Sequence, residues 1–239
     1  MISNQILGLL SELAILFPAF LLVFTSRGFF KALFAKLMGD DTAQQEGFLT
    51  LNPLAHIDFL GLSIMLLLVF FIGGLFMGVF PRSLLFILLI LLGARWTTTV
   101  PIVETNFKNY TLGVITTTLA GSCGNFILAL LFLYILKYFP FQLIPHYAFI
   151  TLVEIFNAII ELAIFFGVLN LIPIPPFDGG RLLQFILPHS WQHIRIWLQE
   201  YSFYILLILF FLPGINTIFF NFLFILSIFI KKGLLFLVF

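Results

Sequence analysis

Residues 170–181 read Asn170-Leu171-Ile172-Pro173-Ile174-Pro175-Pro176-Phe177-Asp178-Gly179-Gly180-Arg181, a proline-rich segment that ends in an aspartate, two glycines and an arginine. An ionisable side chain at membrane depth is costly, so it usually faces a cavity or a partner and marks a functional site. The prolines prevent a regular helix, and the paired glycines permit a tight backbone path. Lipid-facing chain could not follow such a path, because its peptide groups would lack hydrogen-bond partners. We therefore expect Asp178 to lie inside the protein.

The composition indicates an integral membrane protein. The chain has 239 residues, of which 62% are hydrophobic and 9% are charged, and 34 of them are phenylalanine. This is enough apolar sequence for several spans of about 20 residues in a lipid bilayer. The 11 basic and 10 acidic residues leave no large basic surface, so nucleic-acid binding is not expected. The single cysteine excludes an intrachain disulfide and a cysteine-based structural metal site.

The distribution of apolar segments predicts an all-α, multipass helical bundle with about five to six transmembrane helices. It forms one membrane domain over residues 1–239, with no soluble domain. Residues 191–200 are expected to form a separate interfacial helix, and the final apolar block is broken at Pro213-Gly214. That block is either one kinked span or a span followed by a re-entrant segment. The apolar segments are residues 6–25, continuing as helix to 38, then 62–80, the short run 84–92, 113–138, 147–169 and 201–230.

A second polar motif follows the first apolar segment. It comprises Gly39-Asp40-Asp41-Thr42-Ala43 and then Thr50-Leu51-Asn52-Pro53-Leu54-Ala55-His56-Ile57-Asp58. Together with residues 170–181, it resembles two motifs of the site-2 protease family of intramembrane zinc metalloproteases (peptidase family M50). The resemblance extends over about residues 23–210. It implies the family fold, with Asn170, Pro173, Pro175, Asp178 and Gly179 as retained motif positions and Asp178 as the third zinc ligand.

The family's HExxH motif is absent. Counting back from Gly39 places its positions on Arg27, Gly28, Phe29, Phe30 and Lys31. HExxH sets two neutral imidazoles one helical turn apart on zinc, beside a glutamate that serves as the base. Arginine stays protonated and charged lysine is a poor ligand, so these two side chains should repel a divalent cation. The resemblance therefore implies the fold without the activity, and no cofactor is expected.

We expect an ionic cluster in place of the metal. Arg27 and Lys31 are four residues apart and share a helix face, as the two histidines of the motif would. In the family fold that face meets Asp178, so we predict that Asp178 accepts hydrogen bonds from Arg27 and from Lys31. Two cations and one carboxylate leave one surplus positive charge. A second carboxylate, such as Glu161, could complete the cluster.

The predicted helix at residues 147–169 carries a polar stripe formed by Glu154, Asn157 and Glu161, which offsets of three and seven place on one face. One interpretation puts Glu154 near the membrane edge and pairs Glu161 with a basic residue of a neighbouring helix. The other is a proton or cation pathway. We favour the first, because no second helix carries a matching stripe.

Two further features have structural interpretations. His56 and Asp58 could be a replacement metal pair, but the resemblance expects both residues in members with an intact HExxH, so we assign them a structural role. The small residues from Gly121 to Gly124 let helices approach closely, which favours a packing contact over a reactive site.

Three functional classes follow from the sequence. We favour an inactive site-2-protease-like protein that binds a client helix or a partner subunit as scaffold or regulator. The first alternative is an active intramembrane metalloprotease with non-standard zinc ligands. The second is a proton or cation carrier component that uses Glu154 and Glu161. In each case we expect a multipass protein of the bacterial inner (plasma) membrane.

Overall fold

The computed structural model describes residues 2–58, 63, 99–140 and 145–238. Helices supply the regular structure of these residues, with short 3₁₀ turns in the connections. In chain order the α-helices are α1 (Ile2–Met38), α2 (Thr42–Gln45), α3 (Tyr110–Tyr138), α4 (His146–Asn170), α5 (Asp178–Ile186), α6 (Gln192–Phe211) and α7 (Ile215–Val238).

Five helical segments of this part of the chain are long and apolar enough to cross a membrane. The prediction of an all-α multipass membrane protein is therefore confirmed. The predicted span at 62–80 and the short apolar run at 84–92 lie outside the described residues, apart from Ser63. The five segments are Ala14–Met38, Tyr110–Tyr138, Ala148–Asn170, His189–Phe211 and Ile215–Val238.

The core lies where α1, α3 and α4 pack together. Val23 and Phe24 of α1 are buried, and Phe166 of α4 is buried against them. The rings of Phe24 and Phe166 have centroids 5.0 Å apart. This contact lies about one turn before Arg27 and two turns before Lys31, and α1 continues without interruption through both residues to Met38.

The small residues of α3 form the predicted close contact with α1. A Cβ atom at Gly124 would lie 2.6 Å from Cδ2 of Phe30, so only glycine permits this approach. Ser26 donates a hydrogen bond of 3.0 Å to the carbonyl oxygen of Gly124 across the same interface. The packing interpretation of this segment is confirmed.

The C-terminal segments differ from the prediction in one respect. Residues 191–200 were expected to form a separate interfacial helix, but α6 runs without a break from Gln192 to Phe211. No proline or glycine separates the amphipathic and apolar halves of that segment, so one helix continues through both. The chain breaks instead at Pro213-Gly214, where Gly214 has φ +86°, and α7 then begins as a second long helix.

The segment between α4 and α5 is irregular, as its prolines and glycines predict. Asn170 ends α4 and Asp178 begins α5. A Cβ atom at Gly179 would lie 2.2 Å from the carbonyl oxygen of Leu171, and one at Gly180 would lie 2.3 Å from the carbonyl carbon of Ile174. The two glycines therefore allow α5 to begin in direct backbone contact with the segment that precedes it.

Candidate functional site

Asp178 lies at the start of α5 and is 6% exposed. The irregular segment that precedes it turns the chain from α4 into α5 and directs the carboxylate towards the middle of α1. This is the interior position that the sequence predicts for Asp178.

Two cations of α1 bind this carboxylate. Nη2 of Arg27 donates to Oδ2 of Asp178 over 3.0 Å, and Nζ of Lys31 donates to Oδ1 over 2.6 Å. Each carboxylate oxygen thus receives one charged donor. The structure brings together the three residues of the predicted ionic cluster, and it joins α1 to the start of α5 by side-chain contacts.

Gly121 of α3 covers the ionic cluster. A Cβ atom at this position would lie 2.9 Å from Cγ of Arg27 and 3.5 Å from Oδ2 of Asp178. The absence of a side chain therefore lets α3 approach the Arg27–Asp178 pair closely. The cluster lies where α1, α3 and α5 meet, and this contact helps to exclude solvent from it.

His56 occupies the space next to Gly28, the position that aligns with the glutamate of HExxH. A Cβ atom at Gly28 would lie 2.3 Å from Nδ1 of His56. The imidazole is 2% exposed, and its Nε2 lies 2.9 Å from the carbonyl oxygen of Thr50. Burial holds the pKa of His56 below its ordinary value, against the opposing effect of the bond to Thr50. A neutral ring donating from Nε2 fits this contact and leaves Nδ1 without a partner.

The sequence did not reveal this arrangement. The loop motif indicates a structural role for His56, but which helix residue the ring contacts depends on how the loop folds back onto α1. The sequence held one signal for this contact, which is that Gly28 occupies the position where HExxH has a glutamate. Such a replacement leaves room for a group from elsewhere in the chain.

Comparison with known proteins identifies the family of this chain. The family model described as Peptidase family M50 matches residues 13–213, most of the chain. The chain belongs to peptidase family M50. A Bacillus subtilis (strain 168) protein named "Putative zinc metalloprotease YwhC" is 29% identical over 194 residues, which cover 80% of this chain and 77% of that protein. No solved structure matches.

The side chains at the M50 metal position do not fit zinc. Zinc in proteins takes neutral imidazole, thiolate and carboxylate ligands in a tetrahedral arrangement. Here Arg27 and Lys31 stand where the spacing from the Gly39 motif predicts the two histidines, and both oxygens of Asp178 already accept their hydrogen bonds. Among the described residues, no group of three His, Cys, Asp or Glu side chains has the arrangement of a metal site. The M50 fold therefore surrounds an ionic cluster at this point.

Asp40 holds the loops around the site together. Its carboxylate is fully buried and accepts hydrogen bonds from Thr42 Oγ1 (2.6 Å), Asn106 Nδ2 (2.9 Å) and the backbone N–H of Val103 (2.7 Å). Burial alone would raise the pKa of Asp40, but these hydrogen bonds outweigh it and hold the pKa below its ordinary value. The bonds connect the loop after α1 to the segment before α3.

Glu104 connects that same segment to α5. Its carboxylate pairs with the guanidinium of Arg181 and accepts a hydrogen bond of 3.0 Å from the hydroxyl of Tyr110. Arg181 follows Asp178 by three residues, so it lies one turn along α5. Its charge is matched by Glu104 and does not draw on the carboxylate of Asp178.

The polar stripe of α4 faces outward. Glu154, Asn157 and Glu161 are all exposed, and Nζ of Lys231 on α7 lies 3.2 Å from Oε1 of Glu161. The expectation that Glu161 completes the ionic cluster is wrong. Glu161 lines a cavity together with Leu16 of α1, which precedes Arg27 by eleven residues, about 16 Å along the helix. Glu161 is therefore too far along the bundle to reach Lys31.

Proposed function

We propose that this chain is a catalytically inactive M50 protein that binds a client transmembrane helix or a partner subunit, acting as scaffold or regulator. One observation carries the proposal. The positions of the two histidine ligands hold Arg27 and Lys31, and both side chains are bound to the remaining ligand, Asp178.

The positive charges of Arg27 and Lys31 argue against a bound zinc ion. A zinc ion at this point would lie beside two fixed positive charges, and it would have to displace both from Asp178. Removing one partner of a buried ion pair typically costs about 3 to 5 kcal/mol. An ion that breaks two such pairs and gains a single carboxylate ligand is not held by this site.

The absence of a base supports the same conclusion. Metalloprotease chemistry needs a group that accepts a proton from the attacking water next to the metal. Gly28 has no side chain, and the ring of His56 occupies the space beside it. His56 is held in the loop by its contact with Thr50.

The retained scaffold supports a binding role. Asp178 keeps its position, and the glycines that follow it still allow the tight backbone path of the family motif. Small residues of α3 still close over the site. We propose that the family's helix-binding surface is retained while the chemistry is not, and that the protein resides in the bacterial plasma membrane.

The alternative is an active metalloprotease with other zinc ligands. The name of the Bacillus subtilis relative favours it, since that protein is described as a zinc metalloprotease. The carrier hypothesis has weaker support, because Glu154 and Glu161 are exposed and Glu161 pairs with Lys231.

Zinc content and proteolysis decide between the first two functions. The purified full-length protein is analysed for bound zinc and incubated in liposomes with a single-pass transmembrane substrate, next to an M50 protein that carries HExxH. We expect no stoichiometric zinc and no cleavage. One equivalent of zinc that disappears in Asp178→Ala, or cleavage that a chelator stops, would establish the active enzyme instead.

A further inference from the structure

The ionic cluster contains an unmatched positive charge. Arg27 and Lys31 share one carboxylate, that of Asp178, and the nearby Arg181 is matched by Glu104. Within the described residues, neither α1 cation contacts a second carboxylate. An uncompensated charge in a partly buried site is costly, so a further anionic group would stabilise this one.

The described part of the chain places no second carboxylate on either cation. The ten acidic residues of the chain all lie in the described segments, because residues 59–98 and 141–144 contain neither Asp nor Glu. Glu161 pairs with Lys231, and Asp40 is held by the loops. Glu12 is on the same helix as Arg27 but fifteen residues away, about 22 Å. The carboxylates of Asp41, Glu46, Glu154 and Glu200 are exposed, and Asp58, which is partly buried in the loop after His56, is not free.

The two cations also have unused hydrogen-bond donors. A lysine ammonium carries three N–H donors and an arginine guanidinium carries five. One donor of each side chain is bound to Asp178. Among the described residues, Nε of Arg27 is buried without a partner. The side chains of Arg27 and Lys31 remain 23% and 12% exposed, compared with 7% for Asp178. The cations are therefore more accessible than the carboxylate between them.

Unpaired polar atoms continue along α3 from this point. Asn125 lies one turn beyond Gly121, is fully buried, and among the described residues has no partner for its amide nitrogen or its amide oxygen. The hydroxyl of Ser122 is likewise buried without a partner in this part of the chain. Buried polar groups are normally hydrogen-bonded, so the part of α3 next to Gly121 has unused hydrogen-bonding capacity.

Depth along α1 selects the chemistry of this ligand. Arg27 and Lys31 precede the end of α1 by eleven and seven residues, which places them about 16 Å and 10 Å from that end. Lipid phosphates lie at the ends of membrane-spanning helices, whereas these two cations lie about two to three turns inside the candidate span of α1. The carboxylate of an Asp or Glu within another transmembrane helix lies at the required depth, and in lipid it carries a penalty that pairing would relieve.

We propose that Arg27 and Lys31 recognise a carboxylate side chain within the transmembrane helix of a client or partner. The inference rests on the proposed function and specifies the chemistry of the bound helix. The incoming carboxylate completes a cluster of two cations and two anions. Without this pairing, neither the surplus cation of the cluster nor the carboxylate of the incoming helix is well solvated. The protein should therefore prefer an acidic helix strongly.

The test compares two probe peptides on the full-length protein in liposomes. Each is a leucine-rich transmembrane helix of about 20 residues with a fluorophore, carrying either a central Glu or a central Gln. Binding is measured by energy transfer to labelled protein at about pH 7, well above the ordinary pKa of glutamate. We expect at least about tenfold tighter binding of the Glu peptide, a difference of about 1.4 kcal/mol.

Variants of the protein test whether Lys31 is responsible for the preference for the Glu peptide. Lys31→Met should reduce the difference between the peptides to within about twofold, and Lys31→Gln serves in its place if the methionine variant does not fold. Lys36→Met is the matched control, since Lys36 is an exposed lysine one turn further along α1, and it should retain the preference. In the wild type the Glu peptide, but not the Gln peptide, should also raise the melting temperature.

Several results would overturn the inference. Equal binding of the two peptides would show helix binding without carboxylate recognition and would leave the proposed function intact. Equal losses in Lys31→Met and Lys36→Met would indicate a general effect of positive charge. A preference that persists in both Lys31 variants would place the recognition elsewhere, and zinc-dependent cleavage of either peptide would overturn the proposed function itself.

Discussion

Arg27 and Lys31 stand one helical turn apart on α1, and each donates a hydrogen bond to a different oxygen of Asp178. The spacing that would place two histidines on a metal here places two cations on one carboxylate. The contact between α1 and α5 is kept, although its chemical nature differs from that of a zinc site. The stability of this contact can be measured directly.

Single and double replacements should show coupling within the ionic cluster. Asp178→Asn should destabilise the protein by about 3 to 5 kcal/mol, because it leaves two buried cations without a carboxylate, and Arg27→Met should destabilise it less, because Lys31 still pairs with Asp178. The double variant should recover part of the loss. Unfolding of the four proteins in detergent gives the coupling energy, and single effects that simply add would contradict a direct interaction.

Leucine at the small positions of α3 should separate α3 from α1. Gly121→Leu and Gly124→Leu should each cost about 1 to 3 kcal/mol and lower the melting temperature. Gly233→Leu on α7 is the control, because no atom lies within 4 Å of a Cβ at that position. Equal melting of all three variants and the wild type would rule out the close contact.

Alanine at Gly28 should displace His56. The added methyl group would start 2.3 Å from Nδ1, so the ring must move and its bond to Thr50 must weaken. We expect a loss of about 1 to 3 kcal/mol from such overpacking. His56→Ala should relieve much of the loss in the double variant. If Gly28→Ala lowers stability as much in the His56→Ala background as in the wild type, its methyl group clashes with a group other than His56.

Asp40 should make stability depend on acidic pH. The pKa of Asp40 is lowered in the folded protein, so its contribution is fully present above the pKa of the unfolded chain. It is lost as the pH falls through the folded pKa, below about pH 4. Asp40→Asn should therefore be less stable than the wild type at neutral pH, and the difference should shrink in acid.

The measurement for Asp40 is a series of unfolding curves from neutral pH to about pH 3. Asp41→Asn controls for the loss of one carboxylate, since Asp41 is its exposed neighbour. A difference between wild type and Asp40→Asn that stays constant across this range would show that the charge of Asp40 is not what holds the loops.

Glu161 should contribute to the contact between α4 and α7 and nothing to transport. Its side chain pairs with Lys231 between two membrane-spanning helices, where an unpaired charge is costly. Glu161→Gln should therefore melt below the wild type, and liposomes with either protein should show the same background proton flux. A flux through the wild type that Glu161→Gln removes would support the carrier alternative.

Much of this architecture could be predicted from local sequence. The prolines and glycines of residues 170–181 indicate an irregular segment, and the spacing of Arg27 and Lys31 places them on one helix face. The uninterrupted course of α1 to Met38 also follows, since no residue after Thr25 breaks it. Each of these features depends on residues that are close together in the chain.

The remaining features depend on packing between distant segments. Glu161 pairs with Lys231, seventy residues later, because α7 lies beside α4. His56 lies against Gly28 because the loop after α1 folds back onto it. Residues 191–200 look interfacial on their own, but α6 carries them into a longer apolar helix. Contacts between such distant segments cannot be predicted from the spacing of residues in the sequence.

The side-chain connection between α1 and Asp178 also affects how the protein is made. A metal site is complete only after the ion has been delivered, so a fold that needs one depends on the supply of that ion. The Arg27–Asp178–Lys31 contact needs only the chain itself and forms when the helices meet. Assembly of this bundle in the membrane should therefore proceed equally well in cells starved of zinc and in cells rich in it.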